Sequence, residues 1–181
     1  MINREIIRIK IVQLTYAYYQ NGSKNIDTAE KELFFSLSKA YDLYNFLLAL
    51  MVAVTKESQR RLEIAKAKAR REGKAEPGSK FALNRFALQL EGNKQLQEFM
   101  ETQKMTWADH PEFVGKLFEQ IEQSQIYKEY MDSKDDDYNT DRELWRRIYR
   151  TLIQETQESQ AVVAALSTVD EGLLQLASIA R

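Results

Sequence analysis

From Ser23 to Glu72 the chain holds neither glycine nor proline. Few folds accommodate so long a stretch without a turn-forming residue, and this one is rich in leucine, alanine, glutamate, lysine and arginine, all good helix formers. Elsewhere the punctuation is also sparse, with six glycines and two prolines in 181 residues. Valine, isoleucine and threonine do not fall in alternating runs, so no segment reads as a strand. The pattern predicts an all-α multi-helix bundle of about five to seven helices. A single helical domain spanning 1–181 is expected, with a polar, basic helical extension and loop near 56–80.

The first predicted helix is "NREIIRIKIVQLTYAYYQ", stopping at Asn21-Gly22, with Asn3 as its cap. Ile7, Ile11, Leu14 and Tyr18 make one apolar stripe, and Ile6, Ile9, Gln13 and Tyr16 a second. Burial on both sides would make it a central N-terminal helix. A second helix is expected from the Asp27/Glu30 capping signature, carrying Leu33, Phe34, Leu37, Tyr41, Tyr44, Leu47 and Leu48 inward. Its apolar pattern fades near Thr55. The next stretch, "KESQRRLEIAKAKARREGK", stays helix-forming but holds eight Lys or Arg against three Glu. It breaks in a loop at Gly73–Ser79, where Pro77-Gly78 is a turn pair.

A third helical stretch is predicted over about Lys80 to Gln103, with Gly92-Asn93 as a kink or split. A fourth, capped by Asp109 with Pro111 in its first turn, runs to about Met131. Thr140 with Glu143 signals a fifth helix through Leu144, Trp145, Ile148, Tyr149 and Leu152. Thr168 with Glu171 signals a short last one.

Composition narrows the function. The formal net charge of −1 predicts no bulk attraction to polyanions, so a nucleic-acid site must arise from local patterning. The absence of cysteine excludes disulfides, thiolate metal sites and a cysteine nucleophile. The most apolar run, Leu43–Val54, is shorter than the roughly 18 to 20 residues of a membrane span. The N-terminus carries charge from Arg4 onward and no signal-peptide core. A soluble cytoplasmic protein with no membrane partner is expected.

No phosphate-binding glycine loop, dinucleotide fingerprint or nucleophile elbow occurs, so no catalytic residue and no cofactor are assigned. His110 is the only histidine, a poor basis for a metal site. Asp135, Asp137, Asn139 and Asp141 have the spacing of early calcium-loop ligands, but Thr140 stands where glycine is required and Arg146 where a bidentate glutamate is required. A solvated acidic loop is the expectation, and an enzyme is not.

Two basic elements remain. Arg4 and Arg8 are spaced i, i+4 and share a helix edge that Thr15 and Tyr19 extend. Cationic groups beside amphipathic tyrosines suit RNA, since the charges hold phosphates while rings meet unstacked bases. Arg60, Arg61, Lys66, Lys68, Arg70 and Arg71 form a possible secondary basic surface, although their charge surrounds the helix rather than striping it.

Arg4, Arg8, Gln13 and Tyr16 in "REIIRIKIVQLTYAYYQNG" resemble the N-terminal helix of the NusB family of bacterial transcription antitermination factors. Arg8 falls on the family's arginine after alanine, Gln13 on its glutamine and Tyr16 on its tyrosine. "AEKELFFSLSKAYDLYNFLL", "LNRFALQLEGNKQL" and "ELWRRIYRTLI" look like the extended Bacteroidetes form. The resemblance implies an RNA-binding antitermination or termination factor acting on nascent ribosomal RNA transcripts. Its implied partners are a boxA-like single-stranded RNA element, a ribosomal protein of the NusE type and the transcription elongation complex. The RNA role carries over to Arg4 and Arg8, and more weakly to Lys10, Gln13 and Tyr16. Beside Arg4 the family's arginine cluster gives way to Glu5 and Ile6. The family's C-terminal "Asn-Glu-x-Ile-x-Leu-Ala-Lys" helix and "Phe-Val-Asn-Gly-x-Leu-Asp" ending do not occur, so the resemblance implies an N-terminal portion. The alternative is a helical protein-interaction module without RNA binding, its basic helix and acidic loop setting partner choice.

Overall fold

A computed structural model describes residues 4–20, 22 and 25–153, which hold seven α-helices and no strand. The all-α multi-helix bundle is therefore observed. The expected cap at Asn3 and the helix after Thr168 lie outside the described residues. The chain clusters into two compact units whose boundary, Phe46/Leu47, falls inside one helix.

The first unit contains α1 (Arg4–Gln20) and the opening turns of α2 (Ile26–Glu72). α1 stops where Gly22 takes φ +61° and donates its N–H to the Tyr19 carbonyl, a conformation glycine adopts without strain. Asn25, not Asp27, caps α2: its Oδ1 accepts from the Asp27 and Thr28 N–H groups at 3.0 and 3.4 Å. Asp27 sits in the first turn, where its charge suits the positive end of the helix dipole.

Burial corrects the expectation of a central α1 enclosed on two sides. Among its described side chains only Lys10 is buried, while Ile11 and Val12 are exposed and Ile7, Ile9, Leu14 and Tyr18 are intermediate. The two apolar stripes together cover more of the helix circumference than its neighbours enclose.

Most of the buried core lies in the second unit. Along α2, Leu43 and Phe46 are buried before the boundary, and Leu50 and Val54 after it, at helical spacing. One 18-residue window of α2, with mean hydropathy 1.3, is apolar enough for a membrane span by length and composition. Counting consecutive apolar residues does not reveal it, because the apolar residues of α2 are interrupted by polar ones. Beyond Thr55 the helix continues without a break. Thr55 returns its hydroxyl to the Met51 carbonyl, and Glu57–Arg60, Glu57–Arg61 and Glu63–Lys66 pair along the surface. Such i, i+3 and i, i+4 pairs support a polar helix. Gly73 ends it at φ +64°, with Gly73 N–H bonded to Arg70 O and Lys74 N–H to Ala69 O. This is a Schellman cap.

The following loop dips into the core, where Phe81 and Ala82 are buried. Asn84 then caps α3 (Arg85–Glu91), accepting from Ala87 N–H, and Asn93 caps α4 (Lys94–Thr102) in the same way. The stretch expected as one helix from Lys80 is thus two, split at Gly92-Asn93. A 3₁₀ turn, Trp107–Asp109, carries a Thr106/Asp109 capping box, so Asp109 is engaged there and His110 takes the cap position of α5 (Pro111–Gln123). Ser124 ends α5 and caps α6 (Gln125–Asp132) through its hydroxyl, dividing the helix expected to reach Met131. Asp137 rather than Thr140 caps α7 (Tyr138–Ile148), which passes into a π-helical turn at Tyr149–Ile153. Val114, Leu117, Phe118 and Ile121 of α5 and Leu144, Trp145 and Ile148 of α7 complete the core.

Candidate nucleic-acid interface

α1 places the predicted RNA-binding residues around its circumference rather than on one face. Turning about 100° per residue from Arg4, Arg8 lies about 40° round, Thr15 about 20°, Tyr19 about 60°, Tyr16 about 120°, Gln13 about 180° and Lys10 about 240°. Arg4, Arg8, Tyr16 and Gln13 are exposed. Neither arginine forms an ion pair among the described residues, so both keep their donors for a ligand. The Tyr16 hydroxyl accepts from Gln20 Nε2 at 2.7 Å, which holds the phenol against its own helix. Lys10 is 8% exposed on the inner side of α1. Its register, six residues from Arg4, turns it away from the arginine edge. The expected set therefore reduces to Arg4 and Arg8 together, Tyr16 at their flank, Gln13 opposite and Lys10 withdrawn.

Tyr19 was not among the assigned site residues, although spacing already sets it on the arginine edge. It is 77% exposed, and its ring meets Tyr18 edge-on at 5.8 Å between centroids. Helical spacing sets Tyr19 on the same edge as Arg8, about 16 Å further along the axis. The wall that α2 builds opposite it is a tertiary feature that spacing does not carry. Ile26, Ala29, Glu30 and Leu33 of α2 face Leu14, Tyr18 and Tyr19 across a cleft of about 320 Å³.

The second basic surface is largely neutralised. Arg60 makes a two-pronged bond to Glu57 at 2.8 Å on each arm. Arg61 bonds Glu57 at 2.7 Å and Glu119 at 3.0 Å, and its guanidinium lies 5.3 Å from the centre of the Phe118 ring. Lys66 pairs with Glu63 and Arg70 with Glu76. The Arg60 hydrogen bond holds the Glu57 carboxyl down to about 2, with burial opposing and Arg61 lowering it further. Lys68 and Arg71 are exposed and carry no ion pair among the described residues. Four of the six cations are thus committed within the protein, so this surface is a folded charge network more than a free stripe.

The acidic loop is also employed internally. Asp137 caps α7, and Asp136 pairs with Arg85 at 2.9 Å. Asp141 is 2% exposed, accepting from the Tyr130 hydroxyl and from the Arg85 N–H at 2.8 Å. The expectation of a wholly solvated loop fails at Asp141, because α7 carries it inward. Burial first, then the bond to the Asp141 carboxylate, raises the Tyr130 phenol above its ordinary range. His110 is half-buried, and its Nε2 is enclosed without a hydrogen-bond partner. No group of three or more potential metal ligands occurs among the described residues.

The second unit contains a larger cleft of about 510 Å³. Val52, Ala53, Leu96, Met100 and Val114 floor it, and the Lys56–Glu91 and Arg60–Glu57 pairs stand at its rim.

No protein-family model, curated protein or solved structure matches this chain.

Proposed function

We propose that this chain is an RNA-binding factor of the transcription antitermination type, acting in the cytoplasm with a ribosomal-protein partner on nascent ribosomal RNA transcripts, and that α1 carries its RNA contact. The observation supporting this reading is the pair Arg4 and Arg8, exposed on one helix edge and without ion pairs among the described residues. That edge differs from the 56–72 stretch, where most cations are already matched by glutamates. The motif resemblance of α1 to the NusB family agrees with it.

Phosphate contacts release counterions, so binding to single-stranded RNA weakens with salt at a slope of about −0.7 per phosphate. Contact with about three or four phosphates gives a slope near −2 to −3 in log K against log salt. Fluorescence anisotropy of a boxA-like RNA across a salt series measures it. An Arg4→Ala/Arg8→Ala variant is expected to flatten the slope by about 1.4 and weaken binding. An unchanged slope in that variant removes α1 from the interface.

One observation favours a second reading, a protein-interaction module. The cleft in the second unit has an apolar floor and a rim whose charges are already paired, as protein-binding grooves often have. Recovery of a single protein from native lysate that persists after RNase treatment, together with absent RNA binding, favours this reading over the first.

A further inference from the structure

We propose that the cleft between α1 and the first turns of α2 receives one unstacked base of the RNA strand whose phosphates lie on Arg4 and Arg8, and that Glu30 selects a base carrying an exocyclic amino group. This inference rests on the RNA-binding reading of α1.

Three observations converge on the cleft. Its volume of about 320 Å³ is at the small end of the range in which pockets hold small planar ligands. Its walls are aromatic and aliphatic: Tyr18 and Tyr19 on one side, Ile26 and Leu33 on the other. Tyr18 meets Tyr19 edge-on, with planes 85° apart, which leaves the Tyr19 ring open to solvent. An open ring is a stacking surface that every base can use.

The cleft also adjoins the positive edge. Tyr19 is about 20° from Arg8 around α1 and about 16 Å further along its axis, so a strand whose phosphates contact the arginines reaches that ring by running on along α1 for more than one nucleotide. A carboxylate at the lip adds selectivity. Glu30 lines the cleft and is exposed. An ionised carboxylate only accepts hydrogen bonds. It therefore matches the amino group of cytosine, as acidic side chains do in base readout, and has nothing to offer the carbonyl that uracil presents at the same position. Its negative charge also repels phosphate, which keeps the strand's backbone on the arginine side.

The experiment uses the full chain and two labelled single-stranded probes of equal length, oligocytidine and oligouridine, read by fluorescence anisotropy. Wild type is expected to bind oligocytidine about ten-fold more tightly than oligouridine. Glu30→Ala is expected to bring the two affinities together. Tyr19→Ala is expected to weaken both by about ten-fold while leaving the salt slope unchanged, and Tyr19→Phe to restore wild-type binding. Circular dichroism on each variant confirms that the helices persist. Binding that still depends on Arg4 and Arg8 but is indifferent to Tyr19, or equal for the two probes, overturns the base cleft and leaves the RNA reading standing. Binding that is absent, or unchanged in the double arginine variant, overturns both.

Discussion

Asn84 is fully buried, and both ends of its amide are engaged. Its Oδ1 accepts from Ala87 N–H at 3.0 Å and from Trp145 Nε1 at 3.2 Å, while its Nδ2 donates to the Asp141 carbonyl at 3.2 Å. One side chain thus caps α3 and ties it to α7. Asn84→Ala removes the cap and strands the indole N–H in the interior, so a loss of about 3 kcal/mol is expected by urea denaturation. Tyr130→Phe deprives the buried Asp141 carboxylate of its phenol donor and is expected to cost about 1 to 3 kcal/mol in the same assay. A loss below about half a kilocalorie in either variant would mean that water replaces the missing group. None of this was legible in the sequence. Asn84 sat inside a run read as helical, and its partners Tyr130, Asp141 and Trp145 are more than 40 residues away. Arg4 and Arg8 lie at the other extreme. Their common edge follows from a four-residue spacing, which needs no tertiary information. Lys10 falls between these cases, because its register points it away from that edge and only the fold supplies what encloses it.

At the scale of elements, α2 shows what periodicity resolves and what it does not. The apolar half was readable from the recurrence of leucine and aromatic residues. The polar half was recognised as helix-forming, but its continuity depends on ion pairs whose geometry appears only in three dimensions. Glu57 is the hub of those pairs. Its folded pKa of about 2 lies below the ordinary carboxylate value, so the folded state favours the ionised form. The resulting stabilisation is present above about pH 4.5 and is lost as the pH falls toward 2. Urea midpoints across that window are expected to fall more steeply for wild type than for Glu57→Gln, and parallel curves would show that the pairs contribute nothing measurable. The end of α2 was legible, since Gly73 stands where a left-handed residue is needed. Gly73→Ala forces an alanine to φ +64° and is expected to destabilise by about 1 kcal/mol, although the added methyl meets no atom within 4 Å. The shorter helices were misdivided for a common reason. Asn25 and Asp137 cap in place of Asp27 and Thr140, whose spacing advertised a cap, and Ser124 divides a run expected to be continuous, since local hydrogen-bond geometry decides between neighbouring candidates.

For the whole molecule, the helical class followed from composition and punctuation, whereas the location of the core did not. Apolar residues are dense in α1 and at the start of α2, yet the fully buried ones gather from Leu43 onward. Phe34, Phe35, Tyr41 and Tyr44 remain half exposed or more. Hydrophobic pattern specifies which face of a helix can be buried, and says nothing of whether a neighbour arrives to bury it. Local stability should follow burial. Amide hydrogen exchange in α1 is expected to be faster than in α5 and α7, and equal protection would show that α1 is held as firmly as the core.

Both tryptophans, Trp107 and Trp145, are buried in the second unit, while five of the nine tyrosines, Tyr16, Tyr18, Tyr19, Tyr41 and Tyr44, belong to the first. Tryptophan therefore occurs only in the second unit, whereas tyrosine occurs in both. Excitation selective for indole reports on the second unit alone, whereas phenol emission is shared, with Tyr127, Tyr130, Tyr138 and Tyr149 contributing from the second unit. On the proposed RNA-binding reading, RNA titrated onto α1 should quench part of the tyrosine light and leave the tryptophan spectrum where it was, so indole emission serves as an internal reference that requires no label.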